Sequence, residues 1–172
     1  MSKKLKKSYI ICRGGILTGI AVLFQSAPVF LPVIGMALSP LSSLPVLLAA
    51  VIDIPMGIVV LFLSDIIIFI VSPQEAIIFL LTTGPLGITI GCLLYRKGWI
   101  FTLLLSTISL FTGIVILTYV VDISAFGDLS KSFSLTMILF YLIFSFIYSC
   151  LWTFCMRKFI SKLKKLGLIQ SF

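Results

Sequence analysis

The amino-acid sequence predicts an all-α integral membrane protein, a six-transmembrane-helix bundle whose second span is interrupted and whose two termini are cytoplasmic. Composition is the first reason, since 60% of the 172 residues are hydrophobic, 10% are charged and the mean hydropathy is +1.29. One soluble core of this size could not bury so much apolar surface. The second reason is the length of the apolar runs, because about 20 such residues cross a hydrocarbon core of about 30 Å. We expect a single membrane domain over residues 1–172.

Six runs have the length of a span, and a basic juxtamembrane tail over 157–172 follows the last one. The predicted spans cover residues 9–34, 36–53, 54–71, 76–95, 99–121 and 133–156. The second run is broken by two prolines and two serines, which are Pro40, Ser42, Ser43 and Pro45. Irregular backbone is tolerated at membrane depth where protein or a water-filled cavity shelters it. We therefore predict that this span is interrupted.

The distribution of basic residues orients the spans. Threading the chain through six spans places all of its thirteen lysines and arginines on one side except Lys131. An excess of basic residues next to short loops marks the cytoplasmic side. Both termini are therefore expected in the cytoplasm, with the chain in the cell (cytoplasmic) membrane. The net charge of +8 should then reflect contact with anionic lipid headgroups and not with nucleic acid.

Small residues recur at helix-packing spacing in two spans. Gly15 and Gly19 share one face of the first span, and Gly87 and Gly91 share one face of the fourth. Such spacing lets the backbone of a neighbouring helix approach closely. For the fourth-span pair we favour packing within the chain. For the first-span pair, internal packing and contact with a partner subunit are equally open.

Asp65 is the only acidic residue well inside a predicted span. A carboxylate at the centre of a membrane helix costs at least about 2.5 kcal/mol, so it usually has a partner or a task. In the predicted orientation Asp65 lies in the outer half of the third span. It is a candidate ligand contact, and the alternative is a protonated or water-bonded carboxylate that only fixes packing.

Gln25, Tyr119 and Tyr141 also lie in the outer halves of their spans and complete the predicted substrate-binding set. The amide of Gln25 can both donate and accept hydrogen bonds. A hydrogen bond to a neighbouring helix is favoured over a ligand contact. The two tyrosines could line a site for a flat ligand, although packing or anchoring at the interface also explains aromatic residues there.

The residue inventory argues against catalysis and against a bound metal or cofactor. The chain has no histidine, which removes the commonest transition-metal ligand and the usual partner of a nucleophilic serine or cysteine. It also has no G-x-x-x-x-G-K-[ST] phosphate loop. We expect a protein that is not an enzyme and that depends on another subunit if ATP drives its function.

The stretch over residues 43–98 resembles a known family. It contains SLPVLLAAVIDIPMGIVVLFLSD and later TTGPLGITIGCLLYRKG. This pattern is similar to the S components of energy-coupling factor (ECF) transporters and to the uncharacterised YybS-like membrane proteins of the same broad group. The shared features are a proline-marked second helix, a turn at Pro55 and Gly57, a helix with Ser64 and Asp65, and a glycine-rich fourth helix ending in a basic loop.

The resemblance implies a non-enzymatic subunit that captures a vitamin or similar micronutrient outside the cell. A shared module of one membrane scaffold subunit and two ATPases would then import it. The resemblance also implies that Gly15 and Gly19 contact the scaffold subunit and that the ligand binds near the outer surface. Two other classes stay open: a membrane scaffold of the rod-shape-determining type, and a small carrier that works alone.

Overall fold

The computed structural model describes residues 3–94, 96–123 and 135–165, and all regular structure in these ranges is helical. Within them, six helices are long and apolar enough to cross a membrane. They are Tyr9–Phe30, Pro32–Ile52, Ile54–Val71, Pro73–Leu93, Trp99–Tyr119 and Leu135–Lys162. The chain is therefore an all-helical, multi-pass membrane protein, as the sequence predicts.

Eight α-helices and two irregular turns make up these spans in the described ranges. The helices are α1 (Lys3–Phe30), α2 (Pro32–Leu38), α3 (Ser43–Ile52), α4 (Ile54–Val71), α5 (Pro73–Ile78), α6 (Gly84–Leu93), α7 (Trp99–Tyr119) and α8 (Leu135–Lys165). A 3₁₀ turn, Ser39–Ser42, joins α2 to α3, and a π-helical turn, Phe79–Thr83, joins α5 to α6. The predicted interruption of the second span is thus this 3₁₀ turn, and the fourth span has an irregular turn that was not predicted.

Several predicted boundaries differ from the structure, and three of the differences change the interpretation. The first span ends at Phe30 and not at residue 34, because Pro32 starts the next helix, where a proline is well accommodated. The fourth span begins at Pro73 and not at residue 76, so Glu75 lies in a helix and not in an outer loop. The last helix continues to Lys165, well into the basic tail. Lys131 and residues 166–172 lie outside the described residues.

The contacts divide the chain into two compact units, Met1–Cys92 and Leu93–Phe172, and the single membrane domain stays a prediction. In the first unit, α3 is almost completely buried. A Cβ atom added to Gly87 would lie 2.6 Å from the carbonyl oxygen of Ser43. One added to Gly91 would lie 2.7 Å from Ala50 Cβ. The fourth-span glycines therefore pack against α3, which confirms the prediction for that pair.

The second unit is built on the contact of α7 with α8. The buried face of α8 repeats every four residues through small hydroxyl side chains, Ser145, Ser149 and Thr153. Thr102 and Ser106 are likewise fully buried on α7. Small side chains on both helices allow the close approach that stabilises helix pairs in lipid.

Candidate functional site

Gln25 on α1 is fully buried and lies at the centre of a polar cluster. Its Nε2 donates to Glu75 Oε2 at 2.9 Å, and its Oε1 accepts from Ser42 Oγ at 2.7 Å. Ser39 Oγ and Thr83 Oγ1 each approach the same Oε1 at 3.3 Å. We call these five residues the Gln25 cluster. It joins the first, second and fourth spans within the first unit.

The arrangement of donors and acceptors fixes the orientation of the Gln25 amide. A carboxylate only accepts hydrogen bonds, so the amide nitrogen must face Glu75 and the amide oxygen must face the hydroxyls. Ser42 Oγ also lies 3.3 Å from Thr83 Oγ1. A serine has one hydroxyl hydrogen, and the shorter distance assigns it to Gln25. The cluster is therefore a connected network of an amide, hydroxyls and a carboxylate.

The two irregular turns position the hydroxyls of this cluster. Ser39 and Ser42 are the first and last residues of the 3₁₀ turn, and Thr83 is the last residue of the π-helical turn. A change in helical pitch re-aims the side chains that follow it, and single π turns are frequent at functional sites. The irregular parts of the second and fourth spans thus both contribute to the Gln25 cluster.

Glu75 is half-buried in the first turn of α5. Its backbone N–H donates to Ser72 Oγ at 3.4 Å, and Pro73 occupies the first helical position. A carboxylate near a helix N-terminus is favoured by the helix dipole. Gln25 lies near the end of α1 and Glu75 near the start of α5, whereas Ser42 and Thr83 lie midway along the second and fourth spans. The cluster therefore extends from one end of these spans towards their middle.

Asp65 is not a member of the hydrogen-bonded Gln25 cluster. It is half-buried on α4, and among the described residues its Oδ1 has no hydrogen-bond partner although it is shielded from solvent. The hydroxyl of Ser64 beside it is fully buried and likewise makes no hydrogen bond within the described ranges. Of the two predicted ligand contacts in the first unit, Gln25 therefore has several hydrogen-bond partners, whereas Asp65 Oδ1 has none among the described residues.

Tyr119 and Tyr141 belong to the second unit, on α7 and α8. Tyr141 is fully buried, and its ring centroid lies 6.3 Å from that of Phe140. Tyr119 is half-buried. Of the four predicted substrate-binding residues, two lie in each unit, and Gln25 is the one that the Gln25 cluster contains.

Four members of the Gln25 cluster were not among the predicted site residues: Ser39, Ser42, Glu75 and Thr83. One signal could have pointed to Glu75, because the segment Ser72–Glu75 reads Ser-Pro-Gln-Glu. A serine followed three residues later by a glutamate is typical of a helix start. That signal would have moved the predicted start of the fourth span towards Ser72 and placed Glu75 in the first turn of a helix.

The two glycine-containing faces of α1 differ. A Cβ atom added to Gly14 would lie 3.8 Å from Met56 Cγ on α4, and Thr18 on the same face is buried. Gly15 and Gly19 are exposed, and a Cβ atom added to either would meet nothing within 4 Å. The face with Gly15 and Gly19 is therefore open, and we call it the open glycine face.

The described residues include no group of three or more histidine, cysteine, aspartate or glutamate side chains placed to hold a metal ion. No family model matches the chain, and neither a curated protein nor a solved structure does. The geometry of the chain's own residues is thus the basis for assigning a function.

Proposed function

We propose that this protein is a substrate-binding membrane subunit, similar to the S components of ECF transporters. It captures a vitamin or similar micronutrient on the outer side and delivers it with a shared ATPase module. The observation that carries the proposal is the Gln25 cluster, in which an amide, a carboxylate and three hydroxyls from three spans converge. Such convergence of a few polar groups in apolar surroundings is typical of small-molecule sites.

The broken helices support a ligand site at this position. Transporters often bind substrate where membrane helices are discontinuous, because the irregular turns supply polar groups at membrane depth. Here the 3₁₀ turn of the second span and the π turn of the fourth span both present hydroxyls to Gln25. A ligand with hydrogen-bond donors would suit this site, since the Glu75 carboxylate can only accept.

The orientation in the proposal follows from the basic residues. With both termini in the cytoplasm of a bacterial cell, the Gln25 cluster reaches from the middle of its spans to the outer side, where a nutrient would arrive. Asp65 lies in the outer half of α4 in this orientation and is a second proposed contact. Tyr119 and Tyr141 stay predictions for the outer part of the second unit.

The open glycine face is the proposed contact with the ECF scaffold subunit, which in turn binds two ATPases. Its support is that Gly15 and Gly19 are exposed and have no neighbour within 4 Å of an added Cβ atom. A small-residue face of this kind lets the backbone of a partner helix approach closely in lipid. The protein itself would catalyse no reaction and would need no cofactor.

A non-enzymatic scaffold of the rod-shape-determining type is the second candidate. The same open face would serve a morphogenesis partner equally well. The Gln25 cluster would then only hold three spans together, as its internal hydrogen bonds allow. A carrier that works alone is the third class, and no specific contact of the described residues favours it.

Ligand-induced thermal stabilisation of the purified protein tests the proposal. A panel of water-soluble vitamins should contain a compound that raises the unfolding temperature, because a ligand that binds only the folded state stabilises it. Glu75→Gln keeps the size of the side chain and can still accept from Gln25, but it removes the negative charge. About tenfold more ligand should then be needed for the same rise in unfolding temperature, since hydrogen bonds to charged groups are worth about 1.5–3 kcal/mol.

Ser26→Ala is the matched control. Ser26 is a buried neighbour of Gln25, but its hydroxyl donates to the carbonyl of Val22 on its own helix. This variant should keep the response of the wild type. If no compound stabilises the wild type, the scaffold reading replaces the transport reading. If Glu75→Gln responds like the wild type, the ligand does not bind at the Gln25 cluster.

A further inference from the structure

The second unit contains a cavity of about 480 Å³ whose lining residues have no role in the transport proposal. It is lined by Trp99, Phe154, Arg157, Lys158 and Ser161. Trp99 is the first residue of α7, and the other four lie near the end of α8. The cavity therefore lies beside the start of α7 and the last third of α8, on the side to which the sequence assigns the basic residues.

The polar lining fits a phosphate group. Arg157 offers a planar fork of N–H donors, Lys158 offers an ammonium group, and Ser161 offers a hydroxyl. Neither cation has a carboxylate partner among the described residues, while Lys158 Nζ lies 4.5 Å from the ring centroid of Phe154. Two positive side chains that face one cavity without an acid favour an anionic occupant.

The start of α7 lies beside the cavity. Gly98 precedes the helix with a φ of 88°, and no side chain caps the first turn. The first backbone N–H groups of a helix have no partner within the helix and attract anions. Trp99, the first residue of this helix, lines the cavity.

The apolar lining identifies a lipid as the source of the phosphate. Trp99 is 42% exposed and Phe154 is 51% exposed, so both present apolar surface beside the cations. Tryptophan is enriched at the level of lipid headgroups, and basic pockets between helices on the cytoplasmic side bind anionic headgroups. A free phosphate ion would gain nothing from these aromatic walls.

We propose that this cavity binds the phosphate headgroup of an anionic phospholipid. Arg157 and Lys158 contact the phosphate, Ser161 donates a hydrogen bond, and Trp99 and Phe154 pack against the glycerol region of the lipid. The site is independent of the transport proposal, because it lies in the second unit and uses no residue of the Gln25 cluster.

Fluorescence of Trp99 gives a direct test, because the chain has only two tryptophans and Trp152→Phe leaves Trp99 as the single emitter. The protein is placed in phosphatidylcholine bilayers that contain phosphatidylglycerol with a quencher near its headgroup. The reference sample contains the same quencher on phosphatidylcholine. Labelled phosphatidylglycerol should quench Trp99 at a much lower mole fraction than labelled phosphatidylcholine does.

Two double variants with the same loss of charge separate this site from general attraction. Arg157→Gln/Lys158→Gln should weaken the preference for phosphatidylglycerol by about a hundredfold, because each hydrogen bond between a cationic side chain and the phosphate contributes about tenfold in affinity. Arg96→Gln/Lys97→Gln removes two cations of the loop before α7, which do not line the cavity. It should weaken the preference by no more than about fivefold, since these exposed side chains attract the headgroup only through solvent.

Equal losses in the two double variants would overturn the proposal, because they would indicate attraction to the whole basic surface. Displacement of labelled phosphatidylglycerol by inorganic phosphate alone would also overturn it and would assign the cavity to a free anion. If Trp152→Phe does not fold, native mass spectrometry of the double variants in the wild-type background replaces the fluorescence assay. One retained phosphatidylglycerol should then be lost from Arg157→Gln/Lys158→Gln and kept by the control.

Discussion

Two glycine pairs with the same spacing have opposite surroundings in the first unit. Gly87 and Gly91 on α6 face α3 so closely that an added Cβ atom would lie within 2.7 Å of it. Gly15 and Gly19 on α1 face open space. The spacing identifies a face that a helix backbone can approach, but it does not say whether that helix belongs to the same chain.

The difference follows from which faces of α1 and α6 the other helices of the first unit cover. α1 contacts α4 through the neighbouring face, with Gly14 and Thr18. That contact occupies one side of α1 and leaves the side with Gly15 and Gly19 uncovered. The fourth span instead packs its glycines on α3, the most buried helix of the unit. A small-residue face that the chain itself leaves open is thus the better candidate for a partner.

Gly87→Leu should have the largest effect on folding. An added Cβ atom would lie 2.6 Å from the carbonyl oxygen of Ser43 and 3.1 Å from Val46 Cβ, and backbone cannot move aside as a flexible side chain can. Overpacking usually costs about 1–3 kcal/mol, and a clash with backbone should reach at least about 3 kcal/mol. Size-exclusion chromatography and thermal unfolding should show aggregated or unfolded protein. Gly15→Leu is the control, and equal stability of the two variants would contradict the comparison.

Gly91→Ala should have an intermediate effect. The added methyl group would lie 2.7 Å from both Ala50 Cβ and the carbonyl oxygen of Leu47, so α3 and α6 must separate slightly. We expect a loss of about 1–3 kcal/mol in the free energy of unfolding. Gly19→Ala makes the same chemical change in open space and should cost nothing. Thermal unfolding in one detergent measures both, and a loss in Gly19→Ala would mean that its face is covered.

Gly15→Leu/Gly19→Leu should leave the chain's own stability within about 0.5 kcal/mol of the wild type, as substitutions away from packed sites usually do. The two leucines would project from the open glycine face without touching the rest of the unit. Membrane insertion and the unfolding temperature should therefore be unchanged. A large drop in either would show that this face packs within the chain.

Gly14→Ala should have the smallest effect of the series. Its added Cβ atom would make ordinary contacts, at 3.8 Å to Met56 Cγ and 3.9 Å to Val60 Cγ2. An alanine also restricts the unfolded chain more than a glycine does, which favours the folded state by up to about 1 kcal/mol. Thermal unfolding should show no loss and at most a small gain. A clear loss would mean that α1 and α4 pack more tightly than these distances indicate.

Much of the fold could be predicted from the sequence, because spans depend on length and hydropathy, which are local properties. Six spans and the break in the second span were predicted on that basis. The prolines of the second span marked the 3₁₀ turn, but nothing in residues 79–83 marked the π turn. The turn between the first two spans was placed too late, since apolar residues continue past Phe30.

The candidate site could be predicted only in part. Gln25 was found because a buried amide is conspicuous in an apolar span. Its partners Ser42 and Thr83 were missed because their approach depends on two irregular turns, and hydropathy does not encode helix rotation. Glu75 was assigned to a loop because the predicted fourth span began at residue 76, where the continuous apolar run starts. Tyr119 and Tyr141 share a predicted depth with Gln25 but belong to the other unit.

The central claim is that this protein captures a substrate for an ATPase module that docks on the open glycine face. Affinity purification of the tagged protein from its native membrane in mild detergent, with mass spectrometry of the retained proteins, tests it most directly. The wild type should retain a membrane scaffold subunit and two ATPases, and Gly15→Leu/Gly19→Leu should lose all three while remaining folded. Recovery of cell-shape proteins or of no partner with the wild type, or of the full module with the variant, would contradict the claim.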